Sequence, residues 1–274
     1  MLNGGFFTDN IVILQGKWNW PPMVKKKHIE KLPNAPLQEV VFELFWELES
    51  DSNGLPVDND YEYALGLFKS EISKDFKHSV KLTHVLPKEI NLQLFSFPRH
   101  QFWAAEKTWP VVQLGPGILV VNDIEKNYTW QSFRKQVLSS KIFLENSYNR
   151  PLTYVGLRLK YIDAFETGES SVYEFMNQNF NISLNNNFGI SGSPVSVNIA
   201  QRFNLDNGCF ADFNINSALN ANARQIILWH SAYSVESKLE SGSIESWLDN
   251  AHDFLSRQFK EFVKPEFYAR FTQQ

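Results

Sequence analysis

The stretch EVVFELFWEL, residues 39–48, carries the clearest structural signal in the chain. Its apolar side chains recur at every second position, at Val40, Phe42, Leu44, Trp46 and Leu48. Glutamates fill three of the five alternate positions, at 39, 43 and 47. Because successive side chains of a strand point to opposite faces, this alternation predicts a β-strand with one face in the core and the other mostly in solvent.

Further strands and helices follow on both sides of this stretch. Strands are predicted at 111–114 and 118–121, joined by a glycine-containing turn, and again at 153–162, 195–199, 209–215 and 225–233. Helical spacing is found from about 60 to 76, from 128 to 144 and from 244 to 263, with Asp58 or Asp60 and Ser243 as candidate caps. The order predicts an α+β fold, an antiparallel sheet with helices on one face, compatible with two β-α-β-β half-repeats.

The chain divides into three segments on this pattern. Residues 1–31 form an N-terminal aromatic and basic arm, residues 32–151 the first α+β half, and residues 152–274 the second half with the C-terminal helix. In the arm, Trp18 and Trp20 precede a Pro-Pro pair, and three lysines follow. Two such tryptophans suit either packing onto the body or binding a partner.

Composition excludes several classes of protein. Hydrophobic residues make up 43% of the 274 residues, which excludes wholesale disorder, and the net charge of −4 provides no long-range field for nucleic acid. Direct binding of nucleic acid is therefore not expected. The single cysteine, Cys209, excludes an intrachain disulfide. No signal peptide and no apolar run of membrane-spanning length is present, so a cytoplasmic protein without membrane contact is predicted.

Common catalytic motifs are missing from the sequence. The cluster at 115–117 lacks the Lys-Ser/Thr of a phosphate loop, no Gly-x-Ser-x-Gly elbow occurs, and the six histidines have no metal-binding spacing. We therefore expect no cofactor, no metal and no convergent polar pocket.

One enzymatic alternative stays open, a Mg²⁺-dependent nuclease. Asp212 lies on one predicted strand, and Glu236 and Lys238 follow the next strand. Two carboxylates in this arrangement could hold the ion while the lysine orients water. Surface carboxylates explain the same pattern.

Two further residues are candidates for partner binding. Arg158 lies on the face of its predicted strand opposite the apolar side chains. We expect it to form an ion pair with Glu39, Glu43 or Asp163 unless it contacts a ligand. His252 lies at the edge of the apolar stripe of the last helix, one turn after Asp249, where a histidine–carboxylate pair is sterically available. A boundary histidine bonded to the sheet or to solvent is the alternative.

Five segments together resemble a sporadically distributed bacterial family of uncharacterised cytoplasmic proteins. They are Pro36–Phe42, Val112–Asn122, the Tyr128-x-Trp130-x-x-Phe133 motif, Gly156–Ile162 with its Gly-Leu-Arg-x-x-Tyr-Ile pattern, and Leu248-Asp249 with His252 and Phe259. Their order and spacing match from about residue 33 to 262. Relatives tend to have Asn where this chain has Asp163, and the arm is longer than usual here.

The resemblance implies a protein encoded on a mobile or defence-related island, and it supplies no catalytic residues. Aromatic anchors are plentiful, whereas a reactive cluster is not evident. The leading hypothesis is a non-enzymatic interaction or regulatory component of a bacterial antiphage or toxin-antitoxin type of locus. Its partner would be another protein of that locus, bound through the arm or the sheet surface. No oligomeric state is predicted.

Overall fold

A computed structural model describes residues 32–82, 96–125, 127–185, 189, 194–205 and 207–273. The arm with Trp18 and Trp20 lies outside the described residues. What is described belongs to one compact unit.

The described residues form a nine-stranded antiparallel sheet, which is the main element of the fold. In spatial order it contains β4 (His78–Lys81), β5 (His100–Trp103), β6 (Val111–Gly115), β7 (Ile118–Asp123), β1 (Leu37–Trp46), β8 (Tyr154–Glu166), β11 (Gln225–Val235), β10 (Cys209–Leu219) and β9 (Asn198–Asn204). A small separate sheet pairs β2 (Glu49–Ser50) with β3 (Pro56–Val57). The predicted strand at 39–48 thus lies at the centre of the sheet, beside the first strand of the second half.

Five described helices cover one face of the sheet, as the pattern predicted. They are α1 (Tyr61–Ile72), α2 (Trp130–Ser147), α3 (Val172–Asn179), α4 (Ile244–Phe262) and α5 (Pro265–Thr272). The α+β class with an antiparallel sheet and helices on one face is confirmed. The half-repeats stay a prediction.

Two hydrophobic clusters lie between the sheet and the helices. The larger one gathers α1, α2 and the first half of α4 over β1, β7 and β8, and the second gathers α3, α5 and the end of α4 over Phe165, Ile227 and Trp229. Each fully buried large side chain contributes roughly 1.5–3 kcal/mol. Helix α4 joins the clusters, because Leu248 and Leu255 pack in the first and Phe259 and Phe262 in the second.

Local signals explain the turn and the helix ends. Gly117 in the β6–β7 turn adopts a φ of 71°, in the left-handed region that favours glycine. Gly115 is needed for space, because a Cβ there would lie 2.0 Å from the carbonyl oxygen of Phe97. The predicted caps are only partly correct. Asp60 and Ser243 occupy N-cap positions without a side-chain cap bond, because both have helical backbone angles and not the extended angles that capping requires. Asp60 instead bonds Arg150, and the Ser243 hydroxyl donates to the carbonyl of Glu240.

Candidate functional site

Asp212 of the nuclease alternative lies on β10, next to β9, on the face opposite the described helices, whereas Lys238 lies near the end of the central strand β1. Register places Asp212 of β10 directly beside Arg202 of β9. The Arg202 guanidinium lies 3.5 Å from the Asp212 carboxylate and also bonds Glu236, while Lys238 bonds Glu47 at 3.1 Å. A guanidinium thus lies between the two carboxylates that would hold the ion. Among the described residues no group of three or more potential ligands could hold a metal ion.

Arg158 lies on the same face of the sheet, opposite the described helices. Its guanidinium is 3.7 Å from Glu43, which is the directly opposed residue on β1 and one of the three expected carboxylates. Of the other two, Glu39 accepts from the side chain of Asn122, and Asp163 points to the helix-covered face. Arg158 is therefore held at the surface in a solvent-screened pair, which contributes little stability.

His252 is part of a packed polar cluster beneath the helices. Its ring stacks on Trp130 with 4.0 Å between centroids and 7° between planes, and its Nδ1 lies 2.6 Å from the hydroxyl of Tyr161. The Tyr161 hydroxyl lies 3.4 Å from that of Tyr128. Asp249, the carboxylate one turn before His252, bonds Arg134 at 2.7 Å.

Burial controls the protonation of the two tyrosines. It raises the pKa of Tyr128, and it raises the pKa of Tyr161 well above its usual range, with neighbouring Asp163 and Asp253 adding to the effect. Both hydroxyls therefore stay protonated at neutral pH. Tyrosine hydroxyls and an imidazole thus meet beneath the helices, between α4 and β8.

Asp163 adjoins this cluster on β8. It follows Tyr161 by two residues, so both side chains project from the same face about 7 Å apart along the strand. The side chain is 5% exposed, and burial raises its pKa from 3.8 to about 7. Within the described ranges it has neither an ion pair nor a hydrogen-bonding partner.

The outer strand of the second half has one edge that no described strand pairs with. Strand β9 pairs with β10 on one side, and the described part of the chain places no strand on its other side. The amide of Leu205 donates to the carbonyl of Cys209, and the amide of Ser217 donates to the carbonyl of Val197. These two bonds show which residues of β9 form backbone hydrogen bonds with β10, because such residues alternate along an antiparallel pair. The odd-numbered residues therefore bond β10, and the backbone groups of Asn198, Ala200, Arg202 and Asn204 point away from the sheet.

Side chains on both faces of β9 lie within reach of a strand added there. On the helix-side face Ile199 packs at the rim of the second core cluster, and Phe203 is 44% exposed while packing against Phe213. On the other face the Arg202 guanidinium lies 4.2 Å from the centre of the Phe210 ring. The edge carries no proline and only one charge, so it lacks the usual features that block strand addition.

The sequence contained a signal for Asp163 that we did not use. The alternation that places Leu157, Leu159 and Tyr161 on one face continues to Asp163, so the same argument predicts its burial and excludes it as a partner of Arg158. The open edge had no comparable signal, because strand order depends on pairings between distant residues.

Comparisons with family models, with curated proteins and with solved structures found no match. The resemblance to the bacterial family therefore stays a prediction. None of the described helices has the combination of length and apolar composition needed to cross a membrane.

Proposed function

We propose that the protein is a non-enzymatic interaction component that binds an extended segment of another protein along strand β9. The observation that carries this proposal is the row of outward backbone groups at residues 198, 200, 202 and 204. A peptide added there gains main-chain hydrogen bonds for affinity, and side-chain contacts on alternate residues provide specificity.

The side chains of β9 define the chemistry of that segment. Ile199 and Phe203 offer apolar contact on the helix-side face, so the partner strand needs apolar residues on the corresponding alternate positions. The other face is polar, with Arg202 held by Asp212 and Glu236. An amphipathic strand with one apolar face meets both requirements.

The proposed setting follows from the family resemblance alone. We place the protein in a bacterial antiphage or toxin-antitoxin type of locus, where another protein of the same locus supplies the strand. A catalytic role for Asp212, Glu236 and Lys238 is not proposed, because the Arg202 and Glu47 ion pairs engage all three side chains.

The experiment uses proline to remove one outward donor. Ala200→Pro deletes an N–H that makes no bond within the sheet, and edge strands tolerate proline at such positions. Affinity for a partner purified from the same locus should fall at least about tenfold, because one hydrogen bond is lost and the added strand clashes with the ring. Ala200→Ser keeps the amide and should bind like the parent.

The control for an indirect effect is the melting temperature, which Ala200→Pro should leave nearly unchanged. Deletion of residues 1–31 separates this account from binding through the arm with Trp18 and Trp20. If Ala200→Pro binds normally and only the truncated chain loses the partner, docking on β9 is wrong and the arm is the binding element.

A further inference from the structure

The polar face of strand β9 carries charges that bear on the chemistry of the docked segment. Arg202 is the one charged residue of the strand, and it lies on the same face as Asp212, its directly paired residue on β10. The Arg202 guanidinium lies 3.5 Å from the Asp212 carboxylate and also bonds Glu236. One guanidinium is thus set against two carboxylates, and these three side chains together carry a net negative charge.

The other described basic side chains near this face are distant from the edge or engaged elsewhere. Arg158 and Lys160 belong to β8, which lies two strands beyond β10, and Arg158 is paired with Glu43. Two strand spacings amount to about 10 Å, a distance at which salt already screens surface charges. Lys238 bonds Glu47 of the central region. The negative charge beside β9 is therefore not balanced from within the described part of the chain.

The open space on this face of the edge lies over Ala200. This residue is exposed, and its backbone groups point outward like those of Arg202. A partner residue opposite Ala200 has the charged group around Arg202 as its diagonal neighbour, about 7–8 Å away. Lysine and arginine can lay their apolar stems across a small side chain while the charged head group extends beyond it. A long basic side chain therefore fits over Ala200 and reaches toward the two carboxylates.

We infer that the segment bound on β9 carries a lysine or arginine opposite Ala200. An acidic residue at that position is repelled by Asp212 and Glu236, whereas a basic one is attracted. The apolar residues that contact Ile199 and Phe203 lie four positions apart on the partner, and the basic residue is next to one of them. The partner is thus a basic amphipathic strand. This inference rests on the proposed function, because it names the chemistry of the strand that docks there.

The test is a nuclear magnetic resonance titration of the full chain with two synthetic peptides. One is acetyl-Thr-Val-Thr-Thr-Lys-Val-Thr-Thr-amide, and the other has Glu in place of Lys. The Kd is read from the amide shifts of Ala200 and Arg202. At about 0.02 M salt the lysine peptide should bind at least about threefold more tightly than the glutamate peptide, and at about 1 M salt the two values should converge.

Variants assign this preference to the charges beside β9. Glu236→Gln removes one of the two carboxylates and leaves Asp212 balanced by Arg202, so the ratio of the two Kd values should fall close to one. The Glu236 side chain is half exposed, and the variant should therefore fold normally. Glu166→Gln is the matched control. It removes an exposed carboxylate paired with Arg224 on β8, three strands from β9, and should leave the ratio unchanged.

The outcomes separate this inference from the proposed docking. Equal Kd values at low salt, or tighter binding of the glutamate peptide, with the β9 amides still shifting, would overturn the basic partner and leave docking on β9 intact. If neither peptide shifts the outward amides at millimolar concentration, docking on β9 is itself contradicted, and the inference fails with it. Retention of the full preference in Glu236→Gln would also count against the assignment.

Discussion

Replacing Asp163 with Asn should change how the stability of the protein depends on pH. The folded state raises the pKa of this carboxyl from 3.8 to about 7, so the folded protein binds the proton more tightly than the unfolded chain does. Its contribution to stability is complete below the unfolded pKa and is lost as pH rises through about 7. Asn is neutral at every pH and has nearly the same shape, so the variant should lack this loss.

The magnitude follows from the size of the shift. A change of about three pKa units corresponds to about 4 kcal/mol, of which about 3 kcal/mol is lost between pH 5 and pH 8. At pH 8 the Asp163→Asn variant should therefore be more stable than the parent, and at pH 5 the difference should be much smaller. Partial solvation of the carboxylate would reduce both the total of about 4 kcal/mol and the part lost between pH 5 and pH 8.

Urea unfolding at pH 5 and pH 8 measures the effect for both chains. Burial lowers the pKa of His100 and His230, which makes stability rise with pH in their range, but both proteins share these residues. The difference between parent and variant cancels this contribution. If the free energy of unfolding of the two proteins changes in parallel between the two pH values, the carboxyl is not desolvated and the reasoning is refuted.

Three further predictions concern the scaffold. Gly115→Ala should lower the free energy of unfolding, measured in urea, by about 1–3 kcal/mol, because the new Cβ would lie 2.0 Å from the Phe97 carbonyl oxygen. An unchanged urea midpoint would show that this contact is not made. Asp58→Ala should lower the free energy of unfolding by about 3 kcal/mol, because the Trp46 indole N–H and the Tyr148 hydroxyl both donate to that carboxylate and would be left buried without a partner. Asp58→Asn keeps an acceptor and should lower the free energy of unfolding by less. Arg134→Ala should cost less than about 1 kcal/mol, and the loss should disappear in about 1 M salt, since its pairs with α4 are partly exposed.

Periodicity predicted the elements of this fold better than their arrangement. The alternation of residues 39–48 gave the strand and its buried face correctly, because both depend on local geometry. The central position of β1 beside β8 was not predicted. This pairing joins residues more than 100 positions apart, such as Phe42 and Leu159, and no local pattern specifies it.

The candidate sites show the same division. The burial of Asp163 follows from the alternation of β8, whereas the contact between His252 and Tyr161 requires α4 to lie over that strand. Asp212, Glu236 and Lys238 were predicted as a group because their strands are neighbours, and the strands do pair. The sequence did not predict that Arg202 of β9 would lie between the two acids, because the strand was predicted to end at residue 199, whereas β9 continues to Asn204.

The most direct test of the central claim is residue-resolved amide hydrogen exchange in strand β9. Without a partner, exchange should alternate along the strand: fast at Asn198, Ala200, Arg202 and Asn204, and slow at Ile199, Gln201 and Phe203. Addition of the partner protein should protect the first set and leave the second unchanged. Protection of the outward amides in the free protein, or no change on binding, would contradict the account.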